Sequence, residues 1–266
     1  MIPYYNTMVY FIFFNIFYNM NCAKRIKLIG RIGVILAGGM GKRMNSHLPK
    51  PAHKIGDHSM LQHVIHKMLN INIEKIYVVF GQKGELLKES VVFNEKIIWV
   101  HQDPQLGTGH ALQVAFEKIK EDFRSGEILV CNGDAPFIQI ETMSKMFEIK
   151  DCSLLACFVN NPHGYGRILR IADNQFSSII EEKDATNDQR KIQYINAGLY
   201  CFTFESLKKH LHTLENNNAQ SEYYLTDLPQ KVASVKIVEI DDEEEIYNVN
   251  SREQLEYAET IMHKFI

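Results

Sequence analysis

Cysteine is scarce and poorly spaced for a metal: Cys22, Cys131, Cys152, Cys157 and Cys201 form no C-x-x-C pair and no zinc pattern. They read as reduced thiols, mostly in apolar strands of a cytoplasmic protein. An excess of basic charge is also missing. With 29 Lys and Arg against 32 Asp and Glu, the net charge is -3, which excludes the strong positive field of a nucleic-acid binder. Any bound anion must therefore be held by a local site. No long apolar run is present either. Val9 to Tyr18, interrupted at Asn15, is about half of the roughly 20 residues that span a bilayer. Its cations, Lys24, Arg25 and Lys27, follow the apolar run, whereas those of a signal peptide precede it. Residues 1–30 are expected to be a leader outside the fold, or a misplaced start with Met20 just ahead of the first strand, and membrane association is not expected. His63 and His66 share a helical face but lack H-E-x-x-H spacing or a carboxylate partner, so they read as surface or helix-packing residues. There is no internal repeat, low-complexity tract or linker.

What is present, from Arg31 onward, is an alternation of short β-branched runs with helical patterns, the mark of a parallel sheet covered on both faces. Ile32–Leu36, Ile76–Phe80, Ile97–Val100 and Ile128–Cys131 are apolar enough to be strands buried on both sides. Met60, Leu61, Val64, Ile65, Met68 and Leu69 fall on one helical face, as do Ala111, Leu112, Ala115, Phe116 and Ile119. This predicts an α/β, doubly wound half of about four βα units. After Pro136 the runs at 154–159, 167–171, 176–180 and 195–202 are strand-like with little helix between them, which predicts a mixed sheet or a second lobe. Ser251 is placed to cap a closing helix through Leu255, Ala258 and Met262. Asp241 to Glu245 reads as a solvated turn before it.

Chemistry-bearing residues fall at the ends of these strands. The first strand runs into Leu36-Ala37-Gly38-Gly39-Met40-Gly41-Lys42-Arg43, a glycine-dense turn whose amides can approach a phosphate, or which is simply a tight structural turn. Lys50 lies between Pro49 and Pro51, which are expected to hold it in extended chain so that it converges with Arg43 on a triphosphate; a solvated surface lysine is the alternative. Gln102 and the segment Gln105 to His110 precede a helix, where amides can read a base edge or where Thr108 merely caps. The fourth strand ends in Asn132-Gly133-Asp134-Ala135-Pro136. There Asp134 suits magnesium as an oxygen donor, or closes an Asx-turn.

In order and spacing, QLGTGHA at 105–111, GYGRI at 164–168, EEKDA at 181–185, Ile195-Asn196-Ala197-Gly198 and NNNAQSEYYLTD at 216–227 resemble the uridyltransferase domain of bacterial N-acetylglucosamine-1-phosphate uridyltransferases. The similarity runs from Gly33 to Arg252. It implies a Rossmann-like mixed sheet of the nucleotide-diphosphosugar transferase type, with a nucleotide-binding half at 31–136 and a sugar-binding half at 137–266. It also implies transfer of UMP from UTP to N-acetylglucosamine 1-phosphate, with Mg2+ as cofactor. By that resemblance Leu36, Ala37, Gly38, Gly39 and Gly133 hold the nucleotide, and Arg43 and Lys50 pair with its phosphates. Gln102, Gly107 and Thr108 meet the uracil, Asp134 and Asn250 hold the metal, and Gly166, Glu181 and Asn196 meet the amino sugar, Asn196 through both ends of its amide.

Four positions depart from the pattern: Lys42 for threonine, Asn132 for an aromatic residue, Ser221 for glycine and Asn248 for glycine. Asn132 and Ser221 are expected near the site, where they bear on sugar and nucleotide preference. Many relatives carry a further left-handed β-helix with acetyltransferase activity, which 266 residues leave no room for, so a single-function enzyme is expected. A relative acting on another sugar phosphate or nucleotide, or a silent nucleotide-sugar sensor, would share the fold. The joint presence of Arg43, Lys50, Asp134 and Asn250 argues against the sensor.

Overall fold

The structure, a computed structural model, describes residues 30–39, 44, 46–171 and 175–266. The expected leader apart from Gly30, with Cys22 in it, and Lys42 and Arg43 lie outside the described residues. The strands in chain order are β1 (Arg31–Leu36), β2 (Lys54–Ile55), β3 (His58–Ser59), β4 (Lys75–Phe80), β5 (Ile97–His101), β6 (Glu127–Asn132), β7 (Cys152–Phe158), β8 (Gly166–Arg170), β9 (Phe176–Ile180), β10 (Tyr194–Thr203) and β11 (Val235–Ile240). The helices are α1 (Met60–Asn70), α2 (Gly84–Glu89), α3 (Thr108–Asp122), α4 (Ile140–Lys145), α5 (Phe204–His210) and α6 (Arg252–Ile261).

Among the described residues one sheet has the order β11-β7-β10-β6-β1-β4-β5, with β8 and β9 branching from β10. β5, β4, β1 and β6 are mutually parallel, and β10 runs antiparallel to β6 and β7. The expected α/β fold with a mixed sheet is therefore what forms, and strands from both halves of the chain share it. Side chains alternate across it with the strand period of two. Ile35, Val78, Leu129 and Cys131 pack with α1 and α4, whereas Val34, Tyr77, Val79 and Val130 pack with α3 and α5. Cys131, Cys152, Cys157 and Cys201 are free and buried in these strands, and burial pushes the Cys131 thiol up to about 12. Such a thiol stays protonated and inert.

Two expectations are corrected here. β5 is an edge strand with only Val100 buried, because an apolar run does not reveal which strand lacks a neighbour. The acidic stretch is not wholly solvated: Glu245 is 7% exposed and accepts the Gln139 N–H at 2.8 Å. Of the two helical histidines, His63 is buried against Ile55 and His66 is exposed.

Chain order along the sheet sets the site. From β1 the chain moves outward through β4 to β5, then returns to the other side of β1 as β6. The carboxyl ends of β1 and β6 therefore flank a topological switch point, the crevice where open α/β sheets bind ligands. Leu36 is the register partner of Asn132 at that end.

Candidate active site

Each segment that leaves those strand ends is fixed by short-range bonds. Gly133 N–H donates to Leu36 O at 2.9 Å and Ala37 N–H to Val79 O at 2.8 Å, which aims the glycine turn and the Gly133-Asp134 corner into the crevice. Lys67 reaches under that corner from α1. It is 8% exposed and donates to Pro136 O at 2.8 Å, and burial brings its ammonium down to about 8.

Lys50 opens a 3-10 turn over Lys50–Ala52 instead of lying in extended chain. Pro51 is accommodated because the first turn of a helix has no use for its missing N–H. Asn250 comes from the other end of the chain. Val249 packs with Met44, Ile55, Met60, Phe137 and the Ala258 and Ile261 face of α6, which carries its neighbour to the crevice. Ser251 caps α6 as expected, accepting from Gln254 N–H at 3.2 Å, and the Gln254 side chain takes the Asn250 N–H at 2.6 Å. These two supports bring Lys50, Asp134 and Asn250 together: Nζ of Lys50 donates to Asn250 Oδ1 at 2.6 Å and is ion-paired with Asp134 Oδ2.

The segment from Gln102 to His110 is held from behind. Gly107, not Thr108, is the N-cap of α3, at φ +108, and a Cβ there would lie 2.6 Å from Tyr223 O, so glycine is required. Thr108 instead accepts the Leu225 N–H through its hydroxyl at 3.0 Å, while Gly109 N–H donates to Tyr223 O at 2.7 Å. Gln102 is 4% exposed. Its Nε2 donates to Gly107 O at 3.0 Å and meets His110 Nδ1 at 3.1 Å, leaving Oε1 on the side of Gly38.

Two adjoining cavities result. The larger, about 620 Å3, has Leu36, Gly38, Gly39, Gln102, Gly107 and Thr108 on one side and Lys50, Asp134 and Asn250 on the other. The smaller, about 170 Å3, is lined by Gly166, Glu181 and Asn196. Ala37 and Gly133 line neither and form the packed floor, where a Cβ on Gly133 would come 3.1 Å from Ala37. Burial pushes the Glu181 carboxyl up, partly offset by the Thr226 hydroxyl that donates to it at 2.8 Å. Both ends of the Asn196 amide are already engaged, Nδ2 donating to Tyr200 OH at 2.6 Å and Oδ1 accepting Gly198 N–H at 3.3 Å. One hydrogen and one lone pair remain for a ligand.

Sequence reasoning gave no role to His163, Tyr165, Tyr247 or Asn248, all of which line the larger cavity. Tyr165 lies inside a quoted motif, a signal that could have found it; Asn248 stood out only as a departure from glycine near Asn250. Ser221 lines neither cavity and takes φ +54, so its departure from glycine concerns the backbone rather than the ligand wall.

Among the described residues no group of three or more His, Cys, Asp or Glu side chains is placed to hold a metal. The donor set that exists still fits a hard divalent cation. Asp134 Oδ2 and Asn250 Oδ1 already converge on one cation, the Lys50 ammonium. Magnesium is commonly held by one or two protein oxygens and completed by substrate phosphates and water.

The model of the MobA-like NTP transferase domain matches residues 33–196, and the chain belongs to that family of nucleotidyltransferases. Its relatives include the bifunctional protein GlmU of Clostridium botulinum, 39% identical over 245 residues covering 88% of this chain and 52% of that protein. GlmU of Syntrophomonas wolfei is 41% identical over 240 residues, covering 87% and 53%. The chain thus spans about half the length of the curated relatives it matches, and the resemblance drawn from the motifs is borne out. A Bacillus anthracis protein described as a glucose-1-phosphate thymidylyltransferase, solved with sucrose, superposes with a TM-score of 0.63 at 19% identity, covering 87% of this chain and 94% of its own. That likeness bears on the fold alone. No helix among the described residues is long and apolar enough to cross a membrane.

Proposed function

We propose that the protein transfers UMP from UTP to N-acetyl-α-D-glucosamine 1-phosphate, releasing pyrophosphate and UDP-N-acetylglucosamine, in the cytoplasm. One observation carries this reading: Leu36, Gly38, Gly39, Gln102, Gly107 and Thr108, assigned to the nucleotide, and Gly166, Glu181 and Asn196, assigned to the sugar, line two cavities that share a wall, beside the Lys50, Asp134 and Asn250 cluster. The GlmU relatives support the choice of substrates.

In this reading UTP lies in the larger cavity. Gln102 Oε1 accepts the N3–H of uracil, a donor that cytosine lacks. The Gly38 and Gly39 turn lies along the phosphates, and Lys50, with Arg43, offsets their charge. The sugar sits in the smaller cavity, where Glu181 accepts from its hydroxyls and Asn196 uses its remaining donor and acceptor. An oxygen of the sugar phosphate attacks the α-phosphorus, and the bond from that phosphorus to the oxygen bridging to the β-phosphate breaks. No general base is needed, since a phosphate monoester with a second pKa of about 6 is already largely dianionic near neutral pH. The protein's part is to place the two phosphates in line and to offset their repulsion. Mg2+, held by Asp134 and Asn250, supplies further positive charge to that repulsion when bound.

Pyrophosphate release by purified protein given Mg2+, UTP and the sugar phosphate tests the reaction. Release that needs both substrates and falls by about a hundredfold or more in Asp134→Ala is expected. An undiminished rate in the variant would refute the site.

A further inference from the structure

Gln105 stands where the segments that follow β1, β4 and β5 meet. Its own segment is fixed on both sides: Gln102 N–H donates to Phe80 O at 2.8 Å, and Leu106 O accepts the Tyr223 N–H at 2.8 Å. From that base the side chain reaches the glycine turn after β1, where its Nε2 donates to the Gly38 carbonyl. The carboxamide passes over Gly81, the residue after β4, where a Cβ would overlap it, and a Cβ on Gly38 would lie 3.1 Å from Nε2. Two glycines thus leave room for this one bond. It joins the segment proposed to meet the base to the turn proposed to lie along the phosphates. Among the described residues the Gly38 carbonyl accepts no other hydrogen bond.

What the bond controls follows from peptide geometry. A trans peptide is planar with its C=O and N–H pointing in opposite directions, so holding the Gly38 carbonyl also sets the direction of the Gly39 N–H. Ala37 is tied to the sheet through its N–H on Val79 O at 2.8 Å. The next peptide lies between two glycines, where no Cβ separates its alternative orientations and an outside contact must choose among them. Turned over, it would exchange the positions of its N–H and its carbonyl oxygen, and a carbonyl oxygen, an acceptor only, repels the oxygens of phosphate. Gly39 lines the larger cavity and is exposed, its N–H meets no acceptor among the described residues, and a Cβ there would touch nothing within 4 Å.

We propose that Gln105 is a positioning residue for the nucleotide: its carboxamide holds the Gly38–Gly39 peptide in the orientation that receives the triphosphate, and it acts through that peptide instead of reading the base. This rests on the proposed binding of UTP in the larger cavity. The test measures Kd for UTP by titration calorimetry with Mg2+, and for uridine by displacement of UTP, in the wild type, Gln105→Leu and Gln105→Met. Both replacements keep most of the side-chain volume and remove the donor, and thermal unfolding without nucleotide shows that each variant is folded. UTP should bind the variants about five- to tenfold more weakly, the value of one hydrogen bond, while uridine, which has no phosphate for the turn to meet, keeps its wild-type affinity. The preference for UTP over CTP should also persist, because the base contacts are untouched. The assignment falls if UTP binds the variants as it binds the wild type. It falls equally if uridine loses the same factor as UTP, which is the mark of a direct base contact or of general damage to the pocket. A wild type that binds neither UTP nor uridine would overturn the functional reading and this assignment together.

Discussion

Lys50→Met separates two roles that the same three side chains are assigned. The Lys50 ammonium holds both oxygens proposed for the metal, with side chains only 13% exposed at Lys50 and 19% at Asp134. Seating a divalent cation requires Lys50 to leave them. Charge-assisted hydrogen bonds contribute about 1.5–3 kcal/mol each, and access to cleft water keeps the total near one such bond. At about 1.4 kcal/mol per factor of ten, the methionine variant should bind Mn2+ about ten- to a hundredfold more tightly than the wild type without nucleotide. Its kcat should meanwhile fall by about a hundred- to a thousandfold, as when one donor to transition-state charge is removed. Titration calorimetry and the electron paramagnetic resonance of free Mn2+ read the first effect, and pyrophosphate release reads the second. Adding Asp134→Asn to Lys50→Met should abolish the tight metal binding. An unchanged or weaker Mn2+ affinity in Lys50→Met would refute the placement of a metal on these oxygens.

In the proposed reaction Glu181 accepts from the sugar most strongly as a carboxylate, and burial raises its pKa, so kcat/KM for the sugar phosphate should fall with decreasing pH above the ordinary carboxylate range. Glu181→Gln should remove that limb of the pH profile. Gly107→Ala forces a Cβ to 2.6 Å from Tyr223 O at φ +108 and should cost about 3 kcal/mol or more in thermal unfolding, with a raised KM for UTP. Lys67, lowered to about 8 from about 10.5, stays protonated in the unfolded chain while it deprotonates in the fold, so stability should rise with pH across that interval. Relative to Lys67→Met, the wild type should gain on the order of 3 kcal/mol in urea unfolding between pH 7.5 and 10.5.

The central strands were legible because burial on both faces leaves a run with hardly a polar interruption, as in Val34-Ile35-Leu36 and Leu129-Val130-Cys131. β11 was missed because it is an edge strand interrupted by charge: Lys236 and Glu239 are exposed on opposite faces, and only Val238 is buried. The six- and seven-residue helices α2, α4 and α5 are too short to show a period. At the site, Asp134, Lys50 and Asn250 could be picked out by position and motif. Their meeting could not, since Lys50 and Asn250 are 200 positions apart and the packing of Val249 beside α6, which carries Asn250 to the crevice, is long-range. Thr108 looked like a cap because a hydroxyl before a helix usually is one. The competing donor, Leu225 N–H, comes from a segment 117 positions away, which local reading cannot supply.

The most direct test of the account is kcat/KM for pyrophosphate release with UTP and N-acetylglucosamine 1-phosphate, measured against dTTP and glucose 1-phosphate under the same Mg2+. The account predicts a preference for the first pair of about a hundredfold or more, because a site built around buried hydrogen-bonding groups rejects a ligand that leaves them unpaired. Equal turnover of both pairs, or a preference for the second, would contradict it.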